Sequence, residues 1–256
     1  MRKVTVLFLC FSITFFSCKK NDNDDNNNNS TPVDVGTVLL HLHNFIDDID
    51  DIGELSGIPN TDNNGRTITI SNVGMYISEF EMEKSDGTVY KFAGKKVLKV
   101  FENVLYEVGE VPIGNYNIIR FKVGLDSNTN SLPPNASSDS VILNKPNMWF
   151  GATAQPDGYV FMNIQGTIDT SSGLTGSMAP FVYKIGTNAN YQQITVTGIN
   201  ITIVKSQAET IHMVADYNTL FNGIQINHAT NLSITTPADN STALATAVVN
   251  NIVANV

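Results

Sequence analysis

The stretch Val35-Gly-Thr-Val-Leu-Leu-His-Leu-His43 sets the pattern for most of the chain. Its side chains alternate with a period of two, which is typical of a β-strand with one face buried. Similar segments recur along the chain and are separated by short turns. They are Val73–Glu83, Thr88–Phe92, Val97–Phe101, Leu105–Val111, Tyr116–Val123, Tyr159–Thr167, Phe181–Ile185, Gln192–Val196, Ile199–Lys205 and Glu209–Val214.

These segments predict an all-β fold, a single β-sandwich of mostly antiparallel strands. Short strands with turn residues at this spacing favour a sandwich or barrel, and Asp86-Gly87 between two of them is a hairpin signal. No alternation of strands and helices indicates a parallel α/β fold. Only the C-terminus predicts a helix, capped by Asn240 or Ser241 and presenting Leu244, Val248 and Ile252 on one stripe.

The N-terminus has the order of a lipoprotein signal peptide. Arg2 and Lys3 precede an apolar run, Val4–Phe16, which is too short to span a bilayer as a helix of about 20 residues. Ser17-Cys18 follows, so we expect cleavage after residue 17 and acylation of Cys18 (palmitate among the acyl groups). The alternatives are an ordinary secretory signal and a transmembrane anchor.

Three segments therefore divide the chain: a signal peptide at 1–17, a polar tether at 18–34 and a sandwich domain at 35–256. The tether is rich in Asn and Asp and cannot form a core. The lipid would hold the protein in the cell envelope at the outer membrane. Lys19-Lys20 followed by acidic residues resembles the surface-export signal of some Gram-negative lipoproteins, and a periplasmic tether is the alternative.

Composition excludes several classes of function. The other cysteine, Cys10, lies within the apolar run, so cleavage leaves no thiol for a disulfide, a thiolate metal site or catalysis. Without Arg2 and Lys3 the chain has 13 basic and 24 acidic residues, a net charge of −11. This charge disfavours nucleic acid as a partner. Neither G-x-S-x-G, H-E-x-x-H nor a Walker glycine loop occurs, so we do not expect an enzyme.

His41 and His43 are the sharpest candidate for a functional site. Residues i and i+2 of a strand point to the same face, so both imidazoles can bind one ion. Neutral imidazole suits copper, zinc and nickel. His212, His228 or Met148 would supply a third ligand, with His212 as the first choice. The alternative is a pair of histidines that bind no metal.

Two further segments carry weaker signals. Asp47-Asp48-Ile-Asp50-Asp51-Ile-Gly-Glu54 resembles a calcium loop, but Ile52 occupies a ligand position and no Glu closes the loop at its twelfth residue. We interpret it as a solvated acidic loop. The aromatic group around Trp149 either packs in the core or forms a stacking surface for a glycan. This group comprises Met148, Trp149, Phe150, Tyr159 and Phe161.

Several segments, in this order, resemble the MbnP-like group, the copper-binding proteins associated with methanobactin cassettes and their lipoprotein relatives. They are Leu40-His-Leu-His43-Asn44, Ile68–Ser78, Val111–Tyr116, Phe121–Asp126, Met148-Trp149, Gly158–Phe161, Gln165-Gly166, Phe181–Gly186, His212–Asp216 and Leu220-Phe221. No single motif is decisive, but their order and spacing cover nearly all of residues 36–256.

The resemblance implies a β-sandwich, export and, in better-known members, a copper site. It also implies a di-haem enzyme as a partner, which in some members oxidises a tryptophan to kynurenine; Trp149 matches the family's aromatic position. The chain departs from the family pattern at Lys184, where the family has histidine, and at Gln165, where it has glutamate. It also has an insertion, Gly151–Asp157. A protonated lysine is not a copper ligand.

Acylation can be tested by labelling cells with a radioactive fatty acid. The wild-type chain should take up label and fractionate with membranes, whereas Cys18→Ala should do neither because it lacks the thiol that carries the lipid. Cys10→Ala is the control, since its thiol is removed with the signal peptide. Label that persists on the Cys18→Ala protein would contradict the assignment.

Overall fold

The computed structural model describes residues 33–46, 49–50, 57–102, 104–136, 139–151 and 158–254. Asp34–Val256 forms one compact unit. Cys18, the signal peptide and the tether up to residue 32 lie outside the described residues. So does the acidic segment at 47–54, apart from Ile49–Asp50, which forms a short strand.

The expected all-β fold with a short C-terminal helix is confirmed. Thirteen strands were found among the described residues. They are β1 Val35–Ile46, β2 Ile49–Asp50, β3 Asn60–Thr61, β4 Thr67–Lys84, β5 Val89–Lys91, β6 Lys96–Val100, β7 Leu105–Pro112, β8 Gly114–Val123, β9 Val160–Asp169, β10 Met178–Gly186, β11 Gln192–Ile203, β12 Ala208–Asp216 and β13 Ser233–Ile234.

The strands form two sheets. The smaller has the order β12-β1-β2, with β7 also paired to β1. The larger has the order β11-β8-β4-β9-β10-β13, with β3, β5 and β6 also paired to β4. The inner faces of both sheets contribute to one hydrophobic cluster, which includes Leu40, Phe80 and Phe181. Burial of these faces removes apolar surface from water and is the main favourable term in folding.

Strand β4 organises the larger sheet. It is 18 residues long, and Gly74 and Met75 pair with β6 on one edge and with β9 on the other. The predicted hairpin joins β4 to β5: Gly87 has a φ of +85°, and the Thr88 amide donates to Asp86 Oδ1 over 2.9 Å. Glycine adopts this left-handed backbone without the steric cost that a Cβ imposes.

Two of the pairings between described strands are parallel, and no local sequence pattern indicates them. β1 pairs with β12 over nine residues, and β10 pairs with β13. Parallel neighbours need a long crossover, and here residues 47–207 connect β1 to β12. A second difference is that Gln192–Val196 and Ile199–Ile203 belong to one strand, β11, so the predicted strand Ile199–Lys205 ends two residues early. A register irregularity between Thr197 and Ile201 interrupts their alternation.

The aromatic group around Trp149 is part of the core. Its members are between 0% and 7% exposed, so the packing interpretation holds and no stacking surface is available from them: Met148, Trp149, Phe150, Tyr159 and Phe161. Most of them join a second cluster with Tyr76, Leu125 and Leu143. The polar stretch from 126 to 136 includes a short helix, α1 Ser127–Asn130, and Ser140–Leu143 forms α2.

The C-terminal helix was predicted correctly, but its cap was not. After the short α3 at Tyr217–Leu220, helix α4 spans Ala243–Ala254, and Thr242 Oγ1 accepts from the Ala245 amide over 3.3 Å. The Asn240 side chain instead accepts from the Gly186 amide over 2.8 Å, which ties the segment before the helix to β10. Val248 and Ile252 are buried as expected, and Leu244 is partly buried.

No described helix has the length and apolar character to cross a membrane.

A buried polar chain links the two sheets. The Tyr217 hydroxyl donates to Asn44 Oδ1 over 2.7 Å, and Asn44 Nδ2 donates to the Phe101 carbonyl over 2.8 Å. Burial raises the pKa of Tyr217, so the hydroxyl keeps its proton. The Tyr217→Phe substitution would leave a buried amide oxygen without its donor, and should lower the free energy of unfolding by about 1–3 kcal/mol in urea denaturation.

The matched control is Tyr90→Phe, which removes a hydroxyl from a partly buried side chain. We expect it to change the free energy of unfolding by less than about 0.5 kcal/mol. Equal losses in the two variants would show that the Tyr217–Asn44 hydrogen bond has no special role.

Candidate metal centre

The alternation of β1 places two histidines on the outer face of the smaller sheet. Residues of β1 are alternately half-buried and buried along its whole length. His41 and His43 are half-buried, whereas Leu42 between them points into the core and is 4% exposed. The two imidazole ring centroids are 3.9 Å apart. The same-face prediction for this pair therefore agrees with the geometry.

The parallel register brings a third histidine to the pair. His212 on β12 is the register partner of His41 on β1. His43 Nε2 lies 2.9 Å from His212 Nδ1, and His41 Nδ1 lies 3.4 Å from the same nitrogen. One potential ligand nitrogen from each residue falls within 4.8 Å of the others, so the three can hold a metal ion.

The distances suit a shared ion. Imidazole nitrogen lies about 2.0 Å from zinc, so two nitrogens of a tetrahedral site are about 3.3 Å apart. The His41–His212 separation of 3.4 Å matches this value, and the His43–His212 separation of 2.9 Å needs to widen by only a few tenths of an ångström. Three protein ligands leave one position of a tetrahedral site open to water or another molecule.

The surroundings of the histidines combine apolar and acidic side chains. Leu105 on β7 is the register partner of His41 and is 55% exposed, and Val214 on β12 is the partner of His43 and is 49% exposed. Glu107 on β7 is exposed, and it is the register partner of Leu39, which lies two residues before His41. A carboxylate near the site favours a bound cation. His212 itself is exposed, so the site is open to solvent on the β12 side.

The other candidates for the third ligand lie elsewhere. His228 precedes the short 3₁₀ helix Ala229–Asn231, and its Nδ1 lies 2.8 Å from Thr230 Oγ1. Met148 is 3% exposed and belongs to the second hydrophobic cluster, packed against Gly74 of the larger sheet. Of the three residues proposed to complete the pair, the structure brings only His212 to it.

The comparisons with known proteins bear on this architecture. A family model named MbnP matches residues 35–238. The chain belongs to the MbnP family. The structure of MbnP from Methylosinus trichosporium is similar, with a TM-score of 0.50 at 16% identity, over 74% of this chain and 78% of that one. At this identity the likeness shows the fold alone, and no curated protein matches the chain.

The two residues that differ from the MbnP family pattern do not belong to the group of three histidines. Lys184 lies on β10 and Gln165 on β9, both in the larger sheet. Asn240 Nδ2 donates to the Lys184 carbonyl, and Gln165 Nε2 donates to Asn163 Oδ1. Neither substitution removes a member of the histidine group. Of the insertion Gly151–Asp157, residues 152–157 lie outside the described residues.

A metal ion held by all three histidines would join β1 to β12 and stabilise the folded chain. At a free ion concentration one hundred times the dissociation constant, binding to the folded state alone adds about 2.7 kcal/mol. We expect Ni²⁺ to raise the unfolding temperature of the wild-type protein, measured by differential scanning calorimetry. Because ligating imidazole must be neutral, the gain should shrink at acidic pH.

Two variants identify the ligands. The rise in unfolding temperature caused by Ni²⁺ should be much smaller in His212→Ala, which removes the ligand that β12 contributes. It should be unchanged in His228→Ala. An equal response of the two variants to Ni²⁺ would place the ion somewhere other than on the β1–β12 pair.

Proposed function

We propose that the protein is a non-catalytic, lipid-anchored member of the MbnP family that binds copper through His41, His43 and His212. The observation that carries the proposal is the convergence of three imidazole nitrogens within 4.8 Å on one sheet face. His41 and His212 are 171 positions apart in the sequence, and the fold brings them together with His43 as a preorganised set of ligands. Two histidines on a single strand would be a weaker argument.

Copper is favoured over other ions by ligand chemistry and by family. For a site made of nitrogen ligands, affinity among divalent first-row metals peaks at copper. The MbnP family is linked to copper and methanobactin. Three imidazoles without a thiolate or a thioether suit Cu²⁺, the form expected in an oxidising compartment.

The anchor and the partner follow from the sequence and from the family resemblance. Acylation of Cys18 would attach the domain to the outer membrane through the polar tether. A di-haem enzyme of the kind that accompanies other family members would meet the histidine face from solvent, where Leu105 and Val214 are exposed beside the site. Trp149 is 7% exposed, so an oxidising enzyme would have little direct access to its ring.

A glycan-binding or purely structural lipoprotein was the alternative. A glycan site needs exposed aromatic rings on which sugars can stack. The aromatic residues that suggested such a site are buried, Tyr159 and Phe161 at 1% and 0% exposure. The copper-binding function therefore has the stronger support.

Copper binding can be measured by titrating the purified protein with Cu²⁺. We expect one equivalent to bind with a dissociation constant in the micromolar range or below, about −8 kcal/mol or stronger. The electron paramagnetic resonance spectrum should show hyperfine coupling to nitrogen nuclei. The His41→Ala/His43→Ala double variant should lose at least a hundredfold in affinity because it keeps only one of the three imidazoles.

His228→Ala serves as the matched control for the removal of a histidine and should bind copper as the wild type does. If the double variant and the wild type bind alike, or if neither binds in the micromolar range, the copper site is not at these residues.

A further inference from the structure

A cavity of about 70 Å³ lies on the inner face of the β1–β12 pair, on the opposite side of the smaller sheet from the histidines. Leu42 contributes to its wall from β1, and Ala215 contributes from β12. Met75, Met162 and Ile164 line it from the larger sheet. The cavity therefore lies between the two sheets, close to the end of β12.

The cavity wall is almost entirely apolar, and the hydrogen bonds of its polar residues are local. Asp216 Oδ1 accepts from the amides of Asn218 and Thr219. Asn251 Nδ2 donates to the carbonyls of Leu220 and Asn222, each over 2.9 Å. Since these groups are engaged in capping and cross-links, the cavity offers few groups for a polar ligand.

Two charged side chains contribute to the wall, Asp216 near the end of β12 and Lys99 on β6, and the buried Lys99 restricts the ligand further. Lys99 is 1% exposed and donates to the carbonyl of Val100. An ammonium group in an apolar environment repels another cation. The cavity is therefore suited to a neutral molecule and not to a second metal ion.

The volume of the cavity sets a lower and an upper limit on the size of its ligand. A site holds a water molecule at about 10–15 Å³, and that water needs two to four polar partners. A cavity of about 150 Å³ with a similar lining binds benzene. At about 70 Å³ this cavity is several times larger than one water site and too small for a sugar or an aromatic ring.

The methionines make the cavity adaptable. Met75 and Met162 are register partners on β4 and β9, so their side chains lie next to each other on the same face. Methionine is unbranched and polarisable, and it adjusts to the shape of what it contacts. Near the end of β12, Thr219 and Asn251 also line the cavity, and both are partly exposed, so the cavity is nearest to solvent on this side.

We propose that this cavity is a binding site for a small neutral aliphatic molecule of a few non-hydrogen atoms, which enters beside the end of β12. The ligand gains contacts with apolar walls that otherwise face an unfilled volume. The proposal does not depend on metal binding, because none of the three histidines lines the cavity.

Xenon and isobutane are suitable probes, and methionine methyl groups are suitable reporters. We would label the full-length protein with ¹³C at the methionine methyl groups and record spectra at increasing concentrations of each probe. The signals of Met75 and Met162 should shift in a saturable manner. Met82 is the internal control, since it is 0% exposed yet does not line the cavity.

Two filling variants complete the test. Ala215→Leu narrows the cavity from β12 and Val73→Leu narrows it from β4, and each should weaken the response to isobutane at least tenfold. Copper affinity should stay within twofold of the wild type in both, which separates this site from the histidine site. The proposal would be overturned if the Met75 and Met162 signals did not shift with the probes, or if the Met82 signal shifted equally. It would also be overturned if the shifts persisted in a filling variant that is folded.

Discussion

The parallel ladder between β1 and β12 is the constraint on which both candidate sites depend. Its nine register pairs fix the last long strand against the first, and they place His212 beside His41. A slip of one residue would turn every side chain of β12 to the other face, because side chains alternate with a period of two. Burial of Ile211 and Met213, at 5% and 8% exposure, holds the register in place.

The same alternation gives the β1–β12 pair two different faces. Outward residues carry the imidazoles, and inward residues such as Leu42 and Ala215 line the cavity beneath them. The two sites share a backbone, but none of the three histidines lines the cavity. The larger sheet supports this arrangement through β4, which supplies one wall of the cavity, and through the buried chain from Tyr217 to Phe101.

Local patterns in the sequence were enough to predict the fold class, most of the strands, the Asp86-Gly87 hairpin and the terminal helix. They were also enough for the His41–His43 pair, because i and i+2 geometry is local. The choice of His212 over His228 and Met148 required the register of a strand 171 residues away, which no local pattern encodes. The cap of α4 was misplaced because Asn240, a good capping residue, bonds to the Gly186 amide instead.

The pairing of the first and last long strands also has a consequence for the order of folding. Contacts between distant residues form late, since a long loop must close before any of them is made. During synthesis β1 emerges long before β12, so the three imidazoles stay apart until the domain is nearly complete. A chain that is still unfolded cannot bring the three histidines together, so any metal site that they form would be complete only after the last long strand has docked.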